Sequence, residues 1–370
     1  MSLHIAGAGW ITPLGRSVDE VWDRLLGGDE APGQSIAGGE DNKSYSGFLV
    51  PRDALKNVPP HPRLRRASAI SRFAAAAGLD AIAQATSTQI DMGRVALVFA
   101  VSNGGVTYTK RFYHDIVQSG AQSASPLLFP ETVFNAPASH LAAILGITGA
   151  SYTIVGDGAV GILAIKMASD LLESESIDFC LVVAAEEADW VLCDAYRKWR
   201  LMKALPPIEL FCDPPLGTIL SEGAGGLLLG REGGVNVDSI HAGANFSQQR
   251  KATEITKRIL HDLRHKSACI VASANGTFVD LAERCAIQKE MPEATVYSPK
   301  PALGESVGAS AIWQVIIAAQ ALITKRLPPM LHSHAEAGLR VARDSCEIGS
   351  SAIVLSCGLN QQAAGLRLSI

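Results

Sequence analysis

Residues 151 to 166, SYTIVGDGAVGILAIK, restrict the chain to a small set of folds. Residues 152 to 155 form an apolar run that predicts a buried strand, and Gly156-Asp157-Gly158 predicts a sharp turn. A helix is expected from near Ala159, with Ile162, Leu163, Ile165 and Met167 as its apolar residues. A second apolar run, DFCLVVA at 178 to 184, follows. Strand, helix and parallel strand over about 35 residues make a right-handed βαβ unit. Such a turn often carries a nucleophile at its tip, where the first helical N–H groups and the helix dipole stabilise negative charge. Here the tip is Gly158, and Asp157 is expected to cap the helix, as Asp commonly does.

The remaining pattern places this unit in an α/β fold. The run RVALVFAV at 94 to 101 reads as a central parallel strand covered on both faces. Ahead of it come a first strand at 3 to 8, the capping-box sequence Ser17-Val18-Asp19-Glu20, a surface loop at 28 to 60, and a helix at 65 to 85. Residues 112 to 134 are mixed. A helix at 135 to 145 is expected, with Asn135 as cap and Pro137 in its first turn. Residues 190 to 220 read as irregular, and 225 to 230 as a strand closing a first half. Strands at 235 to 242, 268 to 274, 295 to 298, 352 to 356 and 365 to 370, with helices at 253 to 265, 280 to 288 and 307 to 324, repeat the plan. The expectation is two similar βαβαβαββ halves, 1–231 and 232–370, with helices shared between their sheets.

Composition excludes several function classes. With 48% hydrophobic and 18% charged residues the chain reads as globular, and a net charge of −4 with scattered basic residues gives a nucleic-acid surface no support. Seven widely spaced cysteines read as reduced thiols of a cytoplasmic protein. No apolar stretch reaches the roughly 18 residues of a membrane span, and the N-terminus lacks an export pattern. Gly7 and Gly9 hint at a dinucleotide loop, but Thr12 stands where the third glycine is needed, so no nicotinamide cofactor is expected. His261 and His265 have the i, i+4 spacing of metal ligands, yet Lys257, Arg258, Arg264 and Lys266 mark a solvent face, so no metal is expected either. The basic cluster Arg63, Arg65, Arg66 and Arg72 fits a solvated helix start or, alternatively, a dock for an acidic partner.

Three further glycine turns sit at predicted strand ends: Ala274-Asn275-Gly276-Thr277, residues 300 to 308 (KPALGESVG), and Cys357-Gly358-Leu359-Asn360. Strand ends are where parallel α/β folds place ligand sites, and also simply where chains must turn. Together with GAGWITPLG at the start, NAPASHLAAILGITGASYTI, GDGAVG, SEGAGGLLLG, SANGTFVDLAE and SCGLNQQ, these segments run in order from end to end. The chain resembles a β-ketoacyl synthase of the thiolase superfamily, closest in pattern to enzymes that elongate chains on acyl carrier protein.

That resemblance implies a thiolase-like fold with α-β-α-β-α layers and no cofactor. It also implies a catalytic set this chain lacks. The acyl-accepting cysteine position is Gly158, the first histidine position is Asn275, and the second is Glu305, whereas the motif lysine is kept as Lys300. Gly158 and Leu359 match the family's oxyanion-hole N–H groups. Residues Tyr152, Thr153, Ile154 and Val155 match the strand at its two-fold interface. Glycine offers no nucleophile for Claisen condensation, and an ionised Glu305 opposes the charge of a developing enolate. A buried Lys300–Glu305 ion pair is expected instead, and Cys357 is not expected to substitute as nucleophile. The implied role is a non-catalytic partner similar to chain length factors of polyketide and aryl polyene systems. Such a subunit is dimeric with an active ketosynthase and served by acyl carrier protein. The alternatives are a homodimer that binds acyl thioesters or transfers acyl groups by direct attack, and covalent catalysis by Asp157 or Cys357.

Overall fold

The computed structural model describes residues 2–38, 43–56, 58–85, 90–266, 268–334, 338–343 and 346–370. The chain builds a mixed sheet whose two parts have the same strand order. In the first part, Ser151–Val155, Val95–Val101 and Phe179–Glu186 are parallel neighbours, followed by antiparallel Gly223–Gly230 and His4–Thr12. In the second, Thr295–Tyr297, Ala268–Val271 and Ser351–Cys357 are parallel, followed by antiparallel Gln362–Ser369 and Val235–Asn245. Each set of five thus runs third, second, fourth, fifth, first in chain order, and the second part adds a short parallel strand, Arg340–Val341, outside Thr295–Tyr297. The two meet where His4 pairs with Asn236 and Ile5 with Val235.

Two helices lie between the parts: Ser310–Thr324 is buried along most of its length, as its nearly continuous apolar sequence requires, whereas Val160–Leu171 keeps Lys166 and Asp170 at the surface. Val160–Leu171 packs on Val95–Val101 and Phe179–Glu186, and also reaches Val235–Asn245 and Gln362–Ser369. Ser310–Thr324 packs on Ser351–Cys357 and Gly223–Gly230, and crosses Val160–Leu171 closely. A Cβ at Gly161 would stand 3.0 Å from the Ala311 side chain. Outer helices cover the sheet faces: Ala69–Ala83 on one side, Gln249–Leu263 and Phe278–Glu290 on the other. The result is the layered α/β arrangement expected from the sequence.

Gly7 and Gly9 have a packing role here. A Cβ at Gly9 would meet the Ala77 carbonyl oxygen at 2.0 Å, and one at Gly7 the Ala81 oxygen at 2.2 Å. These glycines let helix Ala69–Ala83 lie against the first strand.

Five local expectations need correction. The surface loop at 28 to 60 contains an antiparallel pair, Gly33–Gly38 with Lys43–Phe48; positions 39–42 and 57 fall outside the described residues. The mixed stretch opens with a helix, Val106–Ser119, and the irregular one contains another, Trp190–Lys198. Asn135 makes no side-chain cap bond, although Pro137 does occupy the first turn. The capping box is half formed: Ser17 Oγ accepts from Glu20 N at 3.3 Å, while Ser17 N donates to the Trp10 carbonyl.

Candidate functional site

The N-termini of the two central helices converge on the strand ends, and this brings together residues more than a hundred positions apart. Gly158 precedes one helix and Glu305 the other, and both border a single cavity with Lys300 and Leu359. Its volume is about 10 Å³. That is at most the room of one water molecule.

Glu305 fills the centre of the site, and its carboxylate is fully engaged. Oε1 lies 2.7 Å from Lys300 Nζ and accepts the Ser310 hydroxyl at 2.8 Å. Oε2 accepts Asn275 Nδ2 at 2.7 Å, and Asn275 Oδ1 in turn accepts the Thr277 hydroxyl at 2.7 Å. Burial pushes the Lys300 ammonium below its ordinary value, and the Glu305 charge opposes that shift. The backbone fixes the carboxylate: Glu305 N donates to the Ile219 carbonyl, and Ser221 N donates to the Glu305 carbonyl. Gly304 makes the turn before it, with φ +79 and no room for a Cβ, which would stand 2.7 Å from Ser221 Cβ.

Asn275 is held by an acid that the sequence did not single out. Asp280 Oδ1 accepts the N–H groups of Asn275 and Gly276 at 2.7 and 2.9 Å, and Oδ2 accepts Phe211 N at 2.6 Å. Burial nevertheless pushes its carboxyl up to about 6. Glu283, one turn further on the same helix, accepts the N–H and hydroxyl of Ser273, and burial raises it to about 7. The available signal was two acids three apart, beginning three residues after Asn275-Gly276-Thr277.

Asp157 does not cap the helix. The residue at the helix N-cap is Ala159, without a side-chain bond. Asp157 Oδ2 instead reaches across to the turn after Ser351–Cys357 and accepts the N–H groups of Asn360 and Gln361, both at 2.9 Å. The same two turns are joined by the Ser356 hydroxyl, which donates to the Gly158 carbonyl at 2.9 Å. Cys357 is buried beside them, and burial raises its thiol well above the ordinary value, which keeps it protonated. Its N–H donates to the Ser273 hydroxyl. His261 turns its Nδ1 to Arg264 and Glu290 at 2.6 and 3.0 Å.

The β-ketoacyl synthase N-terminal domain family model matches residues 2–233, and the C-terminal domain model matches residues 231–334. The chain belongs to the β-ketoacyl synthase family. A 3-oxoacyl-[acyl-carrier-protein] synthase 2 of Vibrio cholerae is 22% identical over 376 residues, covering 91% of this chain and 90% of the relative. A malonyl-ACP decarboxylase of polyketide biosynthesis, PksF of Bacillus subtilis, is 25% identical over 241 residues, covering 62% of this chain and 57% of its own length. Among solved structures, the ishigamide ketosynthase/chain length factor superposes with a TM-score of 0.87 at 18% identity, covering 100% and 98% of the two chains. The ketosynthase ApeO in complex with its chain length factor ApeC from Xenorhabdus doucetiae gives 0.84 at 18% identity, again over 100% and 98%. These likenesses show a shared ketosynthase fold.

This β-ketoacyl synthase family chain also leaves one apolar edge open. Ser151–Val155 is the last strand at one end of the sheet, with Tyr152 44% and Val155 50% exposed. Helix Ala136–Leu145 touches both this strand and the turn Phe129–Thr132. That turn packs against helix Val106–Ser119, which buries none of its residues although it carries Val106, Phe112, Tyr113, Ile116 and Val117. Tyr113, Val117, Phe129 and Phe134 are all exposed, and a groove of about 630 Å³ follows the helix. Exposed apolar side chains thus lie on the neighbouring strand, turn and helix. Elsewhere, Arg63, Arg65, Arg66 and Arg72 are exposed, and none meets a carboxylate among the described residues. Among the described residues, no helix is long and apolar enough to cross a membrane.

Proposed function

We propose that this chain is a non-condensing ketosynthase-like subunit that pairs with an active β-ketoacyl synthase in fatty acid, polyketide or aryl polyene biosynthesis. The observation that carries the reading is the Glu305 carboxylate, held by Lys300, Ser310 and Asn275 in a cavity of about 10 Å³. Condensation needs a nucleophile to hold the acyl group, and Gly158 has none. It also needs donors aimed at a developing enolate oxygen, and here an engaged carboxylate stands in that place. The same carboxylate opposes decarboxylation alone, the activity in the name of the Bacillus subtilis relative.

The open edge around Ser151–Val155 supports assembly with a second ketosynthase-fold chain, the groove along Val106–Ser119 then lining the partner's acyl pocket. Gly158 and Leu359 N–H groups are a relic of the oxyanion hole in this reading. The arginine cluster with its adjoining groove fits the acidic surface of an acyl carrier protein.

Co-expression with a cysteine-containing ketosynthase from the same source tests the proposal. A stable heterodimer whose elongation depends on both chains is the expected result. A homodimer of this chain that elongates malonyl thioester unaided would overturn it.

A further inference from the structure

The Asp157 side chain is 3% exposed, and its partners are two consecutive backbone N–H groups some two hundred residues away. Consecutive N–H groups converging on one point form an anion-binding nest. The nest formed by Asn360 and Gln361 is thus occupied by the chain's own carboxylate. Asp157 Oδ1, the second oxygen, is buried with no hydrogen-bond partner. A carboxylate buried half-satisfied is costly, so a purely structural tie would be better served by a neutral side chain.

The surroundings are shaped to this arrangement. A Cβ on Gly358 would stand 2.0 Å from Asp157 Oδ2, so residue 358 has to be glycine for the carboxylate to enter. A Cβ on Gly158 would lie 3.0 Å from Gly358 Cα, which shows how tightly the two turns are drawn together. Gly358 N is used internally, donating to the Gln362 carbonyl at 2.7 Å, and this shapes the tight turn that carries the nest.

We propose that Asp157 is an internal plug: a built-in carboxylate ligand that occupies an anion nest at Asn360 and Gln361 and keeps external carboxylates out of it. The ligand class of the unplugged nest is therefore a small carboxylate. The inference deepens the reading of this chain as non-condensing and rests on it for its meaning, since a plugged site has a use only where the chemistry is done by another chain.

The test is chemical rescue in two size-matched pairs. Asp157→Ala removes the volume of formate, and Asp157→Gly that of acetate. Melting temperatures of the full chain are measured in sodium formate, sodium acetate and, as the ionic-strength control, sodium chloride. Wild type is expected to respond alike to all three salts. Asp157→Ala is expected to melt lower and to regain about half of the loss in formate at tens of millimolar, the recovery rising with formate concentration as mass action requires for a ligand that binds only the folded state. Asp157→Gly is expected to respond better to acetate than Asp157→Ala does.

Wild-type melting in Asp157→Ala, or recovery no better in carboxylates than in chloride, would overturn the plug. If Asp157→Ala yields no folded protein, Asp157→Ser is measured in formate by the same criterion. None of these outcomes depends on a partner ketosynthase, so the plug can fail while the heterodimer stands, and the reverse.

Discussion

Lys300 Nζ lies 2.7 Å from Glu305 Oε1 with both side chains buried, and Asn275 closes the other side of the same carboxylate. Removing one partner of a buried pair leaves an uncompensated charge, typically a loss of about 3–5 kcal/mol. Lys300→Met is expected to lower the unfolding free energy read from urea titration by an amount in that range. Lys300→Met/Glu305→Met is expected to lose less than the single variant, because no lone charge remains, although Asn275 Nδ2 and the Ser310 hydroxyl lose their acceptor. A Lys300→Met variant as stable as wild type would show that the pair does not hold the site.

Gly158→Cys should not restore condensation. The thiol would return, but Asn275 and Glu305 would remain, so neither histidine donor would be present. The new Cβ would also crowd Gly358 Cα at 3.0 Å, and overpacking of this kind costs about 1–3 kcal/mol. The expected outcome is a less stable protein that releases no product from an acyl and a malonyl thioester. Elongation by the single variant would show that Asn275 and Glu305 are misassigned.

How much of this was readable beforehand follows from sequence distance. Most strand runs and glycine turns were legible because each is local, and so was the Lys300–Glu305 pair, only five residues apart; the strand at 152–155, expected to be buried, is instead an edge strand with Tyr152 and Val155 exposed. The Asp157 contact was not: Asp before a helix reads as a cap, and the N–H groups that outcompete the helix lie 203 positions away at Asn360. Helix Val106–Ser119 was hidden for a different reason. Its apolar residues face no core of their own chain, so they gave no buried stripe to read. The pair Gly33–Gly38 and Lys43–Phe48 is equally poor in apolar residues on its first strand and took the appearance of a loop.

Stability should fall as pH rises toward neutrality. Glu283 is buried, and burial raises its carboxyl from an ordinary 4.5 to about 7. The folded state therefore holds this proton more tightly than the unfolded chain. Its contribution is fully present below the unfolded value and is lost as pH rises to the folded one. Urea midpoints are expected to decline between about pH 4.5 and about pH 7, and Glu283→Gln should flatten that slope by removing one titrating group. An unchanged slope in the variant would assign the titration elsewhere.

Carrier-protein binding should depend on charge at the arginine cluster. Arg65 and Arg72 line a groove of about 410 Å³ together with Pro59, Pro60 and Pro62. Arg65→Glu/Arg72→Glu is expected to weaken binding of an acidic acyl carrier protein to the assembled complex, with the wild-type affinity falling as salt is added. Surface plasmon resonance at two ionic strengths reads both effects. Unaltered affinity in the double variant would return the cluster to its plain reading as a solvated helix start.

The open sheet edge gives the sharpest test of assembly. Val155 is half exposed at the end of the strand that also carries the exposed Tyr152. An unpaired apolar edge is a liability for a lone domain, since its N–H and C=O groups invite pairing with another strand. In the assembled pair Val155 would be buried, and Val155→Glu would then place a charge in an apolar contact with no partner. The complex is expected to weaken by at least about 100-fold, roughly 2.7 kcal/mol, as read by mass photometry across a dilution series. The melting temperature of the isolated chain should hardly move, because residue 155 is exposed there. A charge at this position that leaves the complex intact would move the interface away from this edge.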